Sequence, residues 1–134
     1  MKLKGGAIIC ESLLKEGVNV LFGYPGGAIL PLYDALWGYP QLHHVLVRHE
    51  ESAAHAADAY SRVTGKPGIC LATSGPGATN LVTGIMSAKA DSIAMVAITG
   101  QVARSMLGSE AFQEADICSI AAACTKMTYL VMSA

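Results

Sequence analysis

Charge is scarce in this chain. Only 14% of its 134 residues are charged, and 9 basic against 10 acidic side chains leave a formal net charge of −1. That excludes a disordered chain, which combines few apolar residues with much charge. It also leaves no positive field to hold a nucleic-acid backbone, so no nucleic-acid partner is expected. No apolar run reaches the roughly 18–20 residues of a membrane-spanning helix. The apolar stretch behind Lys2 and Lys4 meets Glu11 at once, so no secretory leader is expected. Cys10, Cys70, Cys118 and Cys124 form no Cys-x-x-Cys pair, and the four histidines lack ligand spacing. No metal site is therefore expected, and the cysteine usage points to a reducing, cytoplasmic setting. No repeat, low-complexity tract or linker interrupts the chain, whose length suits one domain.

Apolar residues are plentiful, at 52%, as are glycines, at 14. The apolar runs alternate with helical patterns. Ile9, Leu13 and Leu14 predict a first helix, ended by Gly17 as a left-handed cap. Strands are expected over 18–22, 45–47, 68–73, 93–99 and 128–132. Helices are expected over 31–36, 51–63 (ending at Gly65), 78–90 and 115–123. Strands alternating with helices imply parallel strands joined by right-handed crossovers. Continuously apolar strands imply a sheet covered on both faces. The fold class is thus a three-layer α/β/α sandwich with a mostly parallel sheet.

Ligands bind such sheets outside the carboxyl ends of the strands. Four loops leave that edge: Tyr24-Pro25-Gly26-Gly27, Arg48-His49-Glu50-Glu51, Thr73-Ser74-Gly75-Pro76-Gly77-Ala78-Thr79-Asn80 and Gly100-Gln101-Val102. Gly75-Pro76-Gly77 reads either as a phosphate cradle at a helix start or as a tight strand-to-helix turn. It is neither a Walker motif nor a full dinucleotide fingerprint. Tyr24–Gly27 reads as a ligand loop or a plain Pro-Gly turn. Glu50 and Glu51 suit a helix start, where negative charge is worth roughly 0.3–1 kcal/mol. Alternatively, one of the pair faces the strand edge. His49 and His55 read first as solvent-facing or helix-satisfied side chains. The alanines at 53, 54, 56, 57 and 59 suit either a plain high-propensity helix or very close packing.

Taken together, the segments 22–31, Arg48-His49-Glu50, 73–80, Thr99-Gly100-Gln101-Val102 and Ala111-Phe112-Gln113-Glu114 resemble the acetohydroxyacid (acetolactate) synthase catalytic subunits. The likeness runs from about Gly5 to Met132. It implies the pyrimidine-binding, N-terminal domain of the thiamine diphosphate enzymes, occupying 1–134 and incomplete at its C-terminal end. The family's glutamate falls on Glu50, which would hydrogen-bond N1′ of the aminopyrimidine and so promote ionisation of the cofactor's reactive carbon. A carboxylate sharing a proton with a weak base needs a desolvated setting. Cofactor contacts carry over to Tyr24, Pro25, Gly26, Gly27, Thr73, Pro76, Asn80 and Gln113. Gly26, Phe112 and Gln113 fall near the substrate.

The likeness further implies a homodimer or larger homo-oligomer, a diphosphate-binding domain supplied by the parent, and in some cases a regulatory subunit. Mg²⁺ and FAD belong to family segments absent from these residues. Glu51, Ala103 and Ser109-Glu110 stand where the family commonly has Gln, Pro and Thr-Asp. The expected reaction joins pyruvate to pyruvate or to 2-ketobutyrate with loss of CO₂, in branched-chain amino-acid synthesis. The 134 residues alone are expected to be inactive. Rival readings are another thiamine diphosphate carboligase or decarboxylase, a pyruvate oxidase, and a non-catalytic self-associating domain.

Overall fold

A computed structural model describes residues 2–133. The two ends of the expected 1–134 span, Met1 and Ala134, lie outside the described residues. Helix α1 (Gly5–Lys15) is followed by β1 (Val20–Gly23), a 3₁₀ turn (Gly27–Ile29) and α2 (Leu30–Leu36). Then come β2 (His43–Leu46), α3 (Glu50–Thr64) and β3 (Gly68–Ala72). The chain continues through α4 (Pro76–Asn80), α5 (Val82–Ala90), β4 (Met95–Thr99), a second 3₁₀ turn (Arg104–Met106) and α6 (Ile117–Ala122). The four strands form one parallel sheet in the order β2-β1-β3-β4.

The period of two along the strands divides the core into two layers. Phe22, Cys70 and Ala72 face α3, α5 and α6, packing with Ala53, Ala54, Ala57, Leu81 and Ala121. Leu21, Ile69 and Leu71 face the other way, onto Cys10 of α1 and Leu32 of α2. Helices thus cover both faces of the sheet, as its apolar strands imply. Gly17 and Gly65 take the left-handed backbone expected of helix caps.

Several expectations are corrected. Only β3 is buried along its whole length. Leu46 of β2 and Val96 of β4 are exposed, because both strands are sheet edges. The helix expected over 78–90 is two helices. At Leu81 the N–H bonds to Ala78 O, three residues back, a local 3₁₀ step that tightens the chain between α4 and α5. The strand expected over 128–132 is absent. That segment pairs with nothing in the sheet, and Tyr129 and Val131 are exposed. Strand propensity is realised only against a partner. Among the described residues, no helix is long and apolar enough to cross a membrane.

Candidate active site

The chain leaves β1 through α2 to reach β2, then crosses back through α3 to β3 on the opposite side of β1. The connections therefore diverge at the carboxyl ends of β1 and β3, the position where open α/β sheets form their ligand crevice. The β1 and β3 loops and the start of α3 meet there.

Thr73, directly after β3, joins the two loops. Its Oγ1 accepts a hydrogen bond from Ala28 N–H at 3.2 Å. The backbone of the β1 loop lies hard against it: a Cβ placed on Gly26 would sit 2.5–2.8 Å from Thr73 Cβ, Cγ2 and Oγ1. Tyr24 N–H donates to Leu71 O at 3.3 Å, holding the strand ends together. Tyr24 is 41% exposed. Pro25 and Gly26 are half-buried, and Gly27 opens the 3₁₀ turn.

Glu50 is the first residue of α3. The preceding His49 is extended and caps the helix, its Nδ1 accepting from Glu51 N–H at 3.2 Å. That geometry turns the two neighbouring glutamates apart. Glu50 is 9% exposed, whereas the Glu51 side chain is 46% exposed and lies 3.7 Å from His55. Asn80, the last residue of α4, donates from Nδ2 to Glu50 Oε2 at 3.0 Å. The hydrogen bonds among described residues thus take up Oε2 and leave Oε1. A Cβ on Gly77 would come within 3.1 Å of Oε1 and 2.6 Å of Thr73 Cγ2. A single glycine therefore touches both Thr73 and the free carboxylate oxygen. Pro76, at the start of α4, is exposed on the same rim.

The segment after β4 adds a further wall. Gln113, with φ +55°, lays its backbone against Gly75, whose φ is +54°. Contact to the site loops thus comes from the Gln113 main chain, while its side chain is exposed and Phe112 is 76% exposed. Gln101 anchors this segment at both ends of its amide: Nε2 donates to Ala115 O at 3.1 Å, and Oε1 accepts from Val102 N–H at 2.8 Å.

Sequence reasoning missed Glu114. Its Oε1 accepts from Gly108 N–H at 2.6 Å, closing the loop, while its buried Oε2 has no hydrogen-bond partner. Only its place beside Gln113 hinted at this. The pairing of Tyr33 Oη with His44 Nε2, 3.0 Å apart, was likewise invisible from spacing.

The site is an open edge. Two surface hollows of about 180 and 170 Å³ do not include Glu50, although the second shares Ala28 and Gly100 with the site loops. What the edge offers is a buried carboxylate with one oxygen fixed and the other directed along side-chain-free backbone. Such an arrangement suits a flat ring that presents an N–H to the free carboxylate oxygen, as an aminopyrimidine does when its ring nitrogen carries a proton. Among the described residues, no group of three or more His, Cys, Asp or Glu could hold a metal ion.

The family model for the thiamine pyrophosphate enzyme, N-terminal TPP binding domain, matches residues 3–120. An acetolactate synthase of Mycobacterium bovis is 56% identical over 132 residues, covering 98% of this chain and 21% of that protein. The Escherichia coli acetolactate synthase isozyme 2 large subunit is 53% identical over 131 residues, covering 98% and 24%. The acetolactate synthase large subunit of Pyropia yezoensis is 54% identical over 130 residues, covering 95% and 22%. The chain thus spans about a fifth of the length of the curated relatives it matches.

Proposed function

This chain belongs to the thiamine pyrophosphate enzymes, as their N-terminal TPP binding domain, and from that membership we propose that it supplies the pyrimidine half of the active site of an acetolactate synthase. The whole enzyme would join two 2-keto acids, pyruvate with pyruvate or with 2-ketobutyrate, with loss of CO₂. When bound, thiamine diphosphate supplies the carbon nucleophile and electron sink for that chemistry. The identity of more than half the aligned positions to acetolactate synthases favours this substrate class over a pyruvate oxidase or a simple decarboxylase.

The observation that carries the reading is the burial of Glu50 at the switch point with one oxygen left over Gly77. Asn80 would hold the carboxylate in one rotamer. Glu50 Oε1 would then accept from the ring nitrogen of the pyrimidine and keep a proton there. Burial favours this, because a hydrogen bond to a carboxylate is stronger away from water. Gly26 and Gly77 would let the ring approach the backbone, and Pro76 and the Tyr24–Pro25 turn would flank it. Gln113 and Phe112 would face the substrate end.

We assign the diphosphate and its Mg²⁺, together with FAD, to other domains of the parent, and the second half of each site to a partner copy. The apolar side chains left exposed at Met86, Phe112, Met127 and Tyr129 support such partners. Four free cysteines support a reducing, cytoplasmic setting.

A nuclear magnetic resonance titration of this chain with 4-amino-5-hydroxymethyl-2-methylpyrimidine, the pyrimidine end of the cofactor, tests the reading. Shifts concentrated at residues 24–28, 50 and 73–80 are expected. Shifts scattered elsewhere, or none, would overturn it.

A further inference from the structure

We infer that Thr73 is a positioning residue: it locks the β1 loop to the β3 loop and, through Gly77, sets where the free oxygen of Glu50 lies. The inference rests on the reading of Glu50 as the pyrimidine's partner, but its geometric part stands independently. Ala28 lies inside the 3₁₀ turn Gly27–Ile29, where a first-turn N–H has no partner within the helix. Thr73 Oγ1 takes that hydrogen at 3.2 Å. The oxygen is thereby held in place inside the protein, with its own hydrogen and a second lone pair still available.

The rest of the side chain is gripped from two sides. The backbone at Gly26 fits only because it lacks a Cβ, which would meet three Thr73 atoms at 2.5–2.8 Å. At Gly77 the same hypothetical atom would meet Thr73 Cγ2 at 2.6 Å and Glu50 Oε1 at 3.1 Å. A movement of Thr73 is therefore felt at Ala28 through a hydrogen bond and at Glu50 through one glycine. The hydroxyl and the methyl do different work. The hydroxyl fixes the first loop, and the methyl fills the space between two glycines.

Two substitutions separate these roles. Thr73→Val keeps the shape and removes the acceptor, and Thr73→Ser keeps the acceptor and trims the methyl. The measurements are hydrogen exchange at the Ala28 amide, the affinity of the folded chain for 4-amino-5-hydroxymethyl-2-methylpyrimidine, and the melting temperature. In Thr73→Val, Ala28 is expected to lose protection and the affinity to fall about three- to tenfold, the worth of one ordinary hydrogen bond. Thr73→Ser is expected to restore Ala28 protection but still to bind the pyrimidine at least about twofold more weakly than the wild type, because the methyl that packs at Gly77 beside Glu50 Oε1 is gone. A merely structural role would lower the melting temperature and leave the affinity of the folded chain unchanged, which would overturn the proposal. Unchanged Ala28 exchange in Thr73→Val would overturn it at its root. Lost Ala28 protection, in a chain whose wild type binds no pyrimidine, would support the loop lock and overturn the functional reading instead.

Discussion

Glu50 and Glu51 are chemically identical neighbours in opposite environments. The His49 cap starts α3 so that Glu50 turns under the β3 loop and Glu51 stays at the surface beside His55. Composition left either residue open as the inward one, because the direction of a first-turn side chain depends on the capping backbone, which the sequence does not spell out. The resemblance chose Glu50, and of the two it is Glu50 that is buried. The consequence is a sharp asymmetry. Glu50→Gln keeps an oxygen for Asn80 but loses the charge-assisted bond to the ring, worth about 1.5–3 kcal/mol, so pyrimidine affinity should fall by roughly tenfold or more. Glu51→Gln should leave it unchanged. Calorimetric titration of both variants checks this.

A second residue-scale prediction concerns His44. Burial first, and the neighbouring charge of His43 second, lower its pKa from the ordinary 6.5. The unfolded chain therefore takes up the proton at higher pH than the folded one. Stability is fully present above about 6.5 and is lost as the pH falls below it. His44→Gln leaves Tyr33 an acceptor that does not titrate. Denaturant melts between pH 7.5 and pH 5 (on the order of one histidine's titration range) should show a shallower loss of stability in the variant.

At the scale of elements, the apolar runs marked four of the five expected strands, because a buried parallel strand is legible as an unbroken apolar stretch. They misled at 128–132, where the same pattern has no neighbouring strand to pair with. The break at Leu81 was illegible, since every residue from 78 to 90 tolerates a helix and the break comes from seating Leu81 in the core while Asn80 turns to Glu50. The alanine-rich α3 left close packing and plain propensity undecided. The fold resolves this in favour of close packing, with Gly84 of α5 seated directly on Ala54 of α3. Gly84→Ala should therefore destabilise the chain by about 1–3 kcal/mol through overpacking, although alanine is the better helix former by about 1 kcal/mol. Urea unfolding of the variant measures the balance. A stabilised protein would mean that the two helices have room to part.

For the whole molecule, alternation and uniform apolarity made the three layers and the parallel sense of the sheet legible. The strand order β2-β1-β3-β4 was not, because the side on which a crossover lands leaves no mark in one sequence. That order creates the switch point, and the switch point is why residues 26, 50, 73, 77 and 80 meet. On the proposed reading the resulting site is half of a pair, open where a partner would close it. The chain alone, supplied with pyruvate, thiamine diphosphate and Mg²⁺, should therefore form no acetolactate. Measurable turnover in a discontinuous acetoin assay would contradict the division of labour between domains.

The most direct test follows the proton itself. Nitrogen-15 labelling of the pyrimidine ring reports whether N1′ is hydrogen-bonded or protonated when bound to this chain at neutral pH. A large upfield shift of N1′ with the wild type, lost in Glu50→Gln and kept in Glu51→Gln, is expected. The same N1′ shift in wild type and Glu50→Gln would show that the buried carboxylate does not hold the ring nitrogen.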